Sequence, residues 1–327
     1  MKVKKEYAIL SVVIIALGLY LFFRNTDRTT HTLPELPAVN TQDLTKVELG
    51  KDDQTVVLTR REDDWFVSPG DYPADLNLAN RMLDVLAQLK VTALVSETKN
   101  YARYELDDPQ QIRVTAYQGD KALRTFNIGK AAGTMRHTHI TLAEDPNVYH
   151  AQGNFRQDFD QSVASLRDKA ILAFKSDDIT ELSIDTGDRK VALKKIAPLP
   201  APEDDDKTAA SATDPEKTSD TKWVTAEGQE VADNTVTRLL STLSRLQCRA
   251  YLTDQAKTDY ANPAYLIRLY GPEESTLEIF DPADDTATEV AARSSLREEP
   301  FTLSDFDMDP VKDFLADLNG PADQPTP

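Results

Sequence analysis

The sequence predicts an α+β protein: an N-terminal transmembrane helix, then two tandem copies of a mostly antiparallel β-sheet unit, each with a covering amphipathic helix. Three observations carry this expectation. An uninterrupted apolar run extends from Tyr7 to Phe23 behind Lys2, Lys4 and Lys5. Alternating apolar and polar segments recur at one offset, 135 residues (179 − 44), pairing Leu44 to Leu49 with Ile179 to Ile184, and Thr55 to Arg60 with Lys190 to Lys195. The two tryptophans of the chain, Trp65 and Trp223, each precede a leucine-patterned helix.

The apolar run has 17 residues (23 − 7 + 1). As a helix it rises roughly 25 Å, the short end of what crosses a hydrocarbon core. Arg24 closes it, and the flanking lysines and arginine can reach the headgroups. No Ala-x-Ala cleavage site follows Phe23 and no lipidation cysteine follows the run, so an uncleaved anchor is expected rather than a signal peptide. The lysines place the N-terminus in the cytoplasm. The expected localisation is therefore the inner (cytoplasmic) membrane, single-pass, with the main body periplasmic. The bilayer is then a partner through Tyr7 to Phe23. Residues 25–43, polar with Pro34 and Pro37, read as a stalk.

The body divides into repeat unit 1 over 44–175, repeat unit 2 over 176–318 and a disordered tail over 319–327. A half-buried strand shows period two, and the paired segments above follow it. Between the second strand and the tryptophan the offset grows to 158 (223 − 65). The added residues, 197–221, are rich in Pro, Ala, Asp, Lys and Thr without apolar periodicity, and read as a disordered insert. After each tryptophan, apolar residues fall at helical spacing. They are Ala79, Met82, Leu83, Leu86 and Leu89 in one copy, and Val236, Leu239, Leu240, Leu243 and Leu246 in the other. Asp75 and Asp233 stand where an N-cap or first-turn acid favours a helix start. Further strands follow at Val91 to Val95, Ile112 to Tyr117 and Leu123 to Ile128, and at Cys248 to Leu252, Leu266 to Tyr270 and Thr276 to Phe280. Each copy closes with a helix, from about Phe155 to Leu166 and from Asp309-Pro310 through Val311, Phe314, Leu315 and Leu318. The expected order per copy is β-β-β-α-β-β-β-β-β-α. Trp65 and Trp223 read as structural, pinning helix to sheet together with Leu83, Leu86 and Leu89 or with Leu240, Leu243 and Leu246.

Composition narrows the chemistry. The net charge is −18, with 55 Asp+Glu against 37 Lys+Arg over 327 residues, which argues against a nucleic-acid partner. One cysteine, Cys248, cannot form an intrachain disulfide and reads as a small buried residue. His137 and His139 are two apart and share one face of a strand, so they are the candidate metal ligands, with His150 or Glu144 as a third. The second copy holds Ala291, Ala292 and Arg293 there, and exposed strand histidines are commonplace, so no metal and no cofactor is assigned. Asp305-x-Asp307-x-Asp309 has the opening spacing of a calcium loop, but Pro310 stands where glycine is needed and Ala316 where glutamate is needed. A helix cap accounts for Asp309 instead. Phosphate-cradling and nucleophile-elbow motifs are absent from the sequence, so no catalytic residue is assigned.

Trp65, Pro73-Ala74-Asp75 and Leu83-x-x-Leu86-x-x-Leu89, repeated as Trp223, Ala232-Asp233 and Leu240-x-x-Leu243-x-x-Leu246, resemble the bacterial family catalogued as domain of unknown function 4340. The similarity covers nearly all of residues 44–318. Members of that family are encoded beside gliding-motility-type ABC transporters. The resemblance implies a non-enzymatic extracytoplasmic accessory or scaffold subunit of such a complex. Its partners would be the permease and auxiliary membrane subunits. The alternatives are a free-standing envelope module binding peptides or glycans, which needs an aromatic-lined groove, and an envelope hydrolase, which needs convergent histidines and carboxylates.

Overall fold

The computed structural model describes residues 13–20, 32–196, 221–284 and 286–318. The chain splits into two compact units, Met1–Asp168 and Lys169–Pro327. In the first, a meander of β1 (Lys46–Lys51), β2 (Gln54–Arg61), β3 (Asp64–Ser68) and the two-residue β4 (Tyr72–Pro73) leads into helix α1 (Leu76–Gln88). The chain then enters β5 (Val91–Ser96), followed by β6 (Ile112–Gln118), β7 (Lys121–Ala131), β8 (His137–Leu142) and β9 (Asp145–Gln152). The spatial order is β4-β3-β2-β1-β6-β7-β8-β9-β5, so α1 carries the chain from one edge of the sheet to the other. Two single-turn helices, α2 (Arg156–Phe159) and α3 (Val163–Leu166), close the unit.

The second unit repeats this plan. Strands β10 (Glu181–Asp185), β11 (Lys190–Ile196), β12 (Lys222–Thr225) and β13 (Glu230–Val231) precede α4 (Asp233–Leu243). Then come β14 (Ala250–Tyr251), β15 (Tyr265–Tyr270), β16 (Glu274–Ile279), β17 (Glu289–Ser294), β18 (Phe301–Ser304) and α5 (Asp309–Asp317). Their order, β13-β12-β11-β10-β15-β16-β17-β18-β14, matches the first sheet position for position. The pairing register matches too. Val47 faces Leu58 where Leu182 faces Leu193, and Arg60 faces Trp65 where Lys195 faces Trp223. All of these strand pairs are antiparallel, and hairpins build each ladder except at two pairings per sheet that join strands distant in sequence, β1 with β6 and β5 with β9 in the first, β10 with β15 and β14 with β18 in the second.

Burial follows the sequence pattern. Trp65 (5% exposed), Leu83, Leu86 (0%) and Leu89 join one core, and Trp223 (1%), Leu240, Leu243 (1%) and Leu246 join the other. The Asp75 side chain accepts hydrogen bonds from the Asn77 and Leu78 amides at 2.9 and 3.1 Å, satisfying two N-terminal donors of α1. At the other end of α1 the buried Arg124 guanidinium donates to the Leu86 carbonyl and to the Pro37 carbonyl. Burial lowers the pKa of Arg124. Leu33, Leu36 and Val39, in the segment read as a stalk, pack against this core.

Several expectations are corrected. The fold is mostly antiparallel β, two nine-stranded sheets with few helices, rather than an α+β fold headed by a transmembrane helix. Of the run Tyr7 to Phe23 the structure describes residues 13–20, which are helical. No helix among the described residues is long and apolar enough to cross a membrane, so the single-pass inner-membrane localisation is not supported. Each sheet has nine strands rather than eight, because Tyr72–Pro73 and Glu230–Val231 add a short edge pair too brief to show periodicity. The helix expected from Phe155 to Leu166 is two turns, restarted by the Ser162 hydroxyl accepting from the Ser165 amide. Asp309 is the first residue of α5 and makes no capping bond; Asp307 accepts from the Ser304 amide at 2.9 Å instead. The insert lies outside the described residues except Thr221, and the tail lies wholly outside them.

Replacing Leu86 or Leu243 by Ala should each lower unfolding free energy by about 2–5 kcal/mol, read from urea midpoints. The exposed Gln88 and Arg245 should change it by less than about 0.5 kcal/mol when made Ala.

Candidate functional site

The most chemically distinctive cluster of the first unit lies on β8 and β9. Strand alternation puts His137 and His139 on one face, opposite Thr138 and Ile140, which are fully buried. The antiparallel register sets His139 directly opposite His150. Their Nε2 atoms are 3.2 Å apart, and the rings meet edge-on with centroids 4.7 Å apart. His137 stacks on His150 at 5.4 Å. Of the sequence-derived candidates, the structure therefore joins His150 to the same-strand pair, whereas Glu144 stands exposed in the β8–β9 turn.

The second partner of His139 fixes its tautomer. Its Nδ1 lies 2.9 Å from the Lys130 carbonyl oxygen, which can only accept, so Nδ1 carries the proton. The Nε2 of neutral His139 is then an acceptor aimed at His150, and His150 Nε2 donates to it. His139 is 7% exposed, whereas His150 is half-buried. The pKa of His150 is lowered, first by desolvation and then by the charges that His139 and His137 would carry.

The segment carrying Tyr104-x-Leu106-x-x-Pro109, which the sequence repeats as Tyr260-x-x-Pro263, covers this face. A 3-10 turn, Tyr101–Tyr104, leads through Glu105 in the left-handed region (φ 55°) to the buried Leu106. The Tyr104 ring lies 5.0 Å from that of His139. The segment comes so close to β7 that a Cβ on Gly129 would stand 2.3 Å from the Tyr104 carbonyl oxygen. Arg156 ties it to the sheet, pairing with the Glu105 carboxylate at 3.7 Å while donating to the Ile128 carbonyl of β7 at 3.2 Å. The glycine is the signal that sequence reading could have used, since only glycine admits such an approach.

The second unit shows what the cluster replaces. There Ala291 faces Thr302, as His139 faces His150, and Ala250 continues the row as Ala93 does. Phe280 occupies the register position of Gly129 and meets Tyr260 at 5.0 Å, as His139 meets Tyr104. The second unit has a cleft of its own, about 630 Å³, at the end of α4. Lys169, Arg238, Arg245 and Arg249 line it with one carboxylate, Asp307, which lies 3.9 Å from Arg249. Among the described residues, no set of three or more His, Cys, Asp or Glu is arranged to hold a metal ion.

Because folding lowers the pKa of His150 below its ordinary 6.5, the unfolded chain binds the extra proton first. Stability should therefore fall as pH drops below about 6.5 toward the lowered value. His150→Thr, which copies the second unit, should flatten that part of the curve when thermal midpoints are compared across pH. Gly129→Ala should cost about 1–3 kcal/mol at any pH by displacing the covering segment.

No curated protein and no solved structure matches the chain. A family model described as "Domain of unknown function (DUF4340)" matches residues 65–263, more than half of it. The match begins at Trp65 in β3 and takes in α1, the histidine strands, Trp223 and α4, so the chain belongs to the DUF4340 family.

Proposed function

We propose that the chain is a non-enzymatic accessory subunit that docks onto an acidic segment of a protein partner through the basic cleft of its second unit. The carrying observation is the sign of that cleft. In a chain of net charge −18, four cationic side chains converge on one open depression with a single carboxylate among them. Arg238, Arg245 and Arg249 are exposed, so their charges face solvent and attract an anionic surface over a Debye length. The resemblance to a family encoded beside gliding-motility-type ABC transporters supports a subunit of such a complex as the partner.

The test is co-purification of the full chain with its transporter subunits, followed by titration of the recovered partner. Arg238→Glu with Arg245→Glu should weaken binding by at least about tenfold, and raised salt should weaken the wild type in the same direction. Both positions are exposed, so the thermal midpoint should stay nearly unchanged. Unaltered partner affinity in the double variant would reject the cleft as the docking face. Recovery of the chain without transporter subunits, but with a bound peptide, would favour a free-standing binding module.

A further inference from the structure

We propose that His139 and His150 form a two-imidazole site for a divalent cation of borderline softness, Zn²⁺ or Cu²⁺, in the first unit only. Two imidazole nitrogens on one tetrahedral ion, each about 2.05 Å from it, stand about 3.3 Å apart. The observed Nε2 separation of 3.2 Å fits an N–metal–N angle of about 103° at that bond length. The ladder register, rather than a mobile loop, holds this separation. The outer shell is also in place. A ligating histidine ordinarily donates its other N–H to a carbonyl or carboxylate, and His139 does so to the Lys130 carbonyl. Its Nε2 therefore carries a free lone pair on the side of His150 without tautomer change.

In the metal-free state that lone pair accepts the Nε2 proton of His150. Metal binding exchanges this proton for the cation. His150 loses the proton at Nε2 and is reprotonated at Nδ1, so both rings stay neutral and no net charge is added beyond that of the ion. Two protein ligands leave the remaining coordination positions to water or to an exogenous anion, which matches the absence of a three-residue set among the described residues. The half-buried His150 ring supplies the entry side, while Tyr104 covers His139. The second unit, with Ala291 and Thr302 at the matching positions, has no imidazole there.

The experiment is calorimetric titration of tag-free full chain with zinc chloride and with copper(II) chloride near neutral pH, alongside thermal midpoints. One equivalent should bind and raise the midpoint. His150→Thr should weaken Zn²⁺ binding by at least about tenfold while keeping the fold, since Thr302 already occupies that position in the other unit. His139→Ala should do the same, and His137→Ala should retain most of the affinity. Lowering the pH should weaken binding, because protons compete with the cation for the ligating nitrogens. Absence of stoichiometric binding would overturn the proposal, and so would binding unchanged in His150→Thr. Neither result bears on the basic cleft, which shares no residue with the pair.

Discussion

Each unit depends on one crossing. After three strands and a short edge pair, the chain must travel from one end of a nine-stranded sheet to the other, and a leucine-faced helix carries it there. The helix cannot stand alone in water. At thirteen residues in the first unit and eleven in the second, it is near or below the length at which isolated helices hold together. Burial of Leu86 or Leu243 under a tryptophan-bearing strand supplies the missing stability, about 1.5–3 kcal/mol for each fully buried leucine. Once the helix is seated, β5 and β14 reach the far edge and pair with β9 and β18, and the second meander is locked between them.

That dependence explains what was legible in the residues. Tryptophan and leucine spacing reported the helices, and period-two alternation reported most strands, because both patterns arise from one buried face. The offsets of 135 and 158 reappear as matched registers around Arg60–Trp65 and Lys195–Trp223. Edge strands two residues long carry no periodicity, so β4 and β13 were invisible. The apolar N-terminal run illustrates the converse: hydropathy alone suggested a membrane span, and no helix among the described residues is long and apolar enough to be one.

The site was less legible than the fold. Strand alternation identified His137 and His139 as neighbours on a face, but the closer partner of His139 is His150, set by a cross-strand register that one sequence does not print. The covering turn at Tyr104 depends on Gly129, a single small residue whose role becomes clear only beside the backbone it admits. The basic cleft gathers Lys169, Arg238, Arg245 and Arg249 from the start of the second unit, its helix and the segment after that helix. Duplication gives these differences meaning. The two units share strand order and core register, yet one places imidazoles where the other has alanine and threonine.

Hydrogen exchange followed by mass spectrometry on the full chain tests the central claim, that each helix is an integral layer of its own sheet. Peptides covering α1 and α4 should exchange as slowly as those of the central strands β1, β6, β10 and β15, and should lose protection together with them as denaturant is raised. Rapid exchange in α1 or α4 while the strands stay protected would contradict it, because the sheet would then be stable without the helix that is held to complete it.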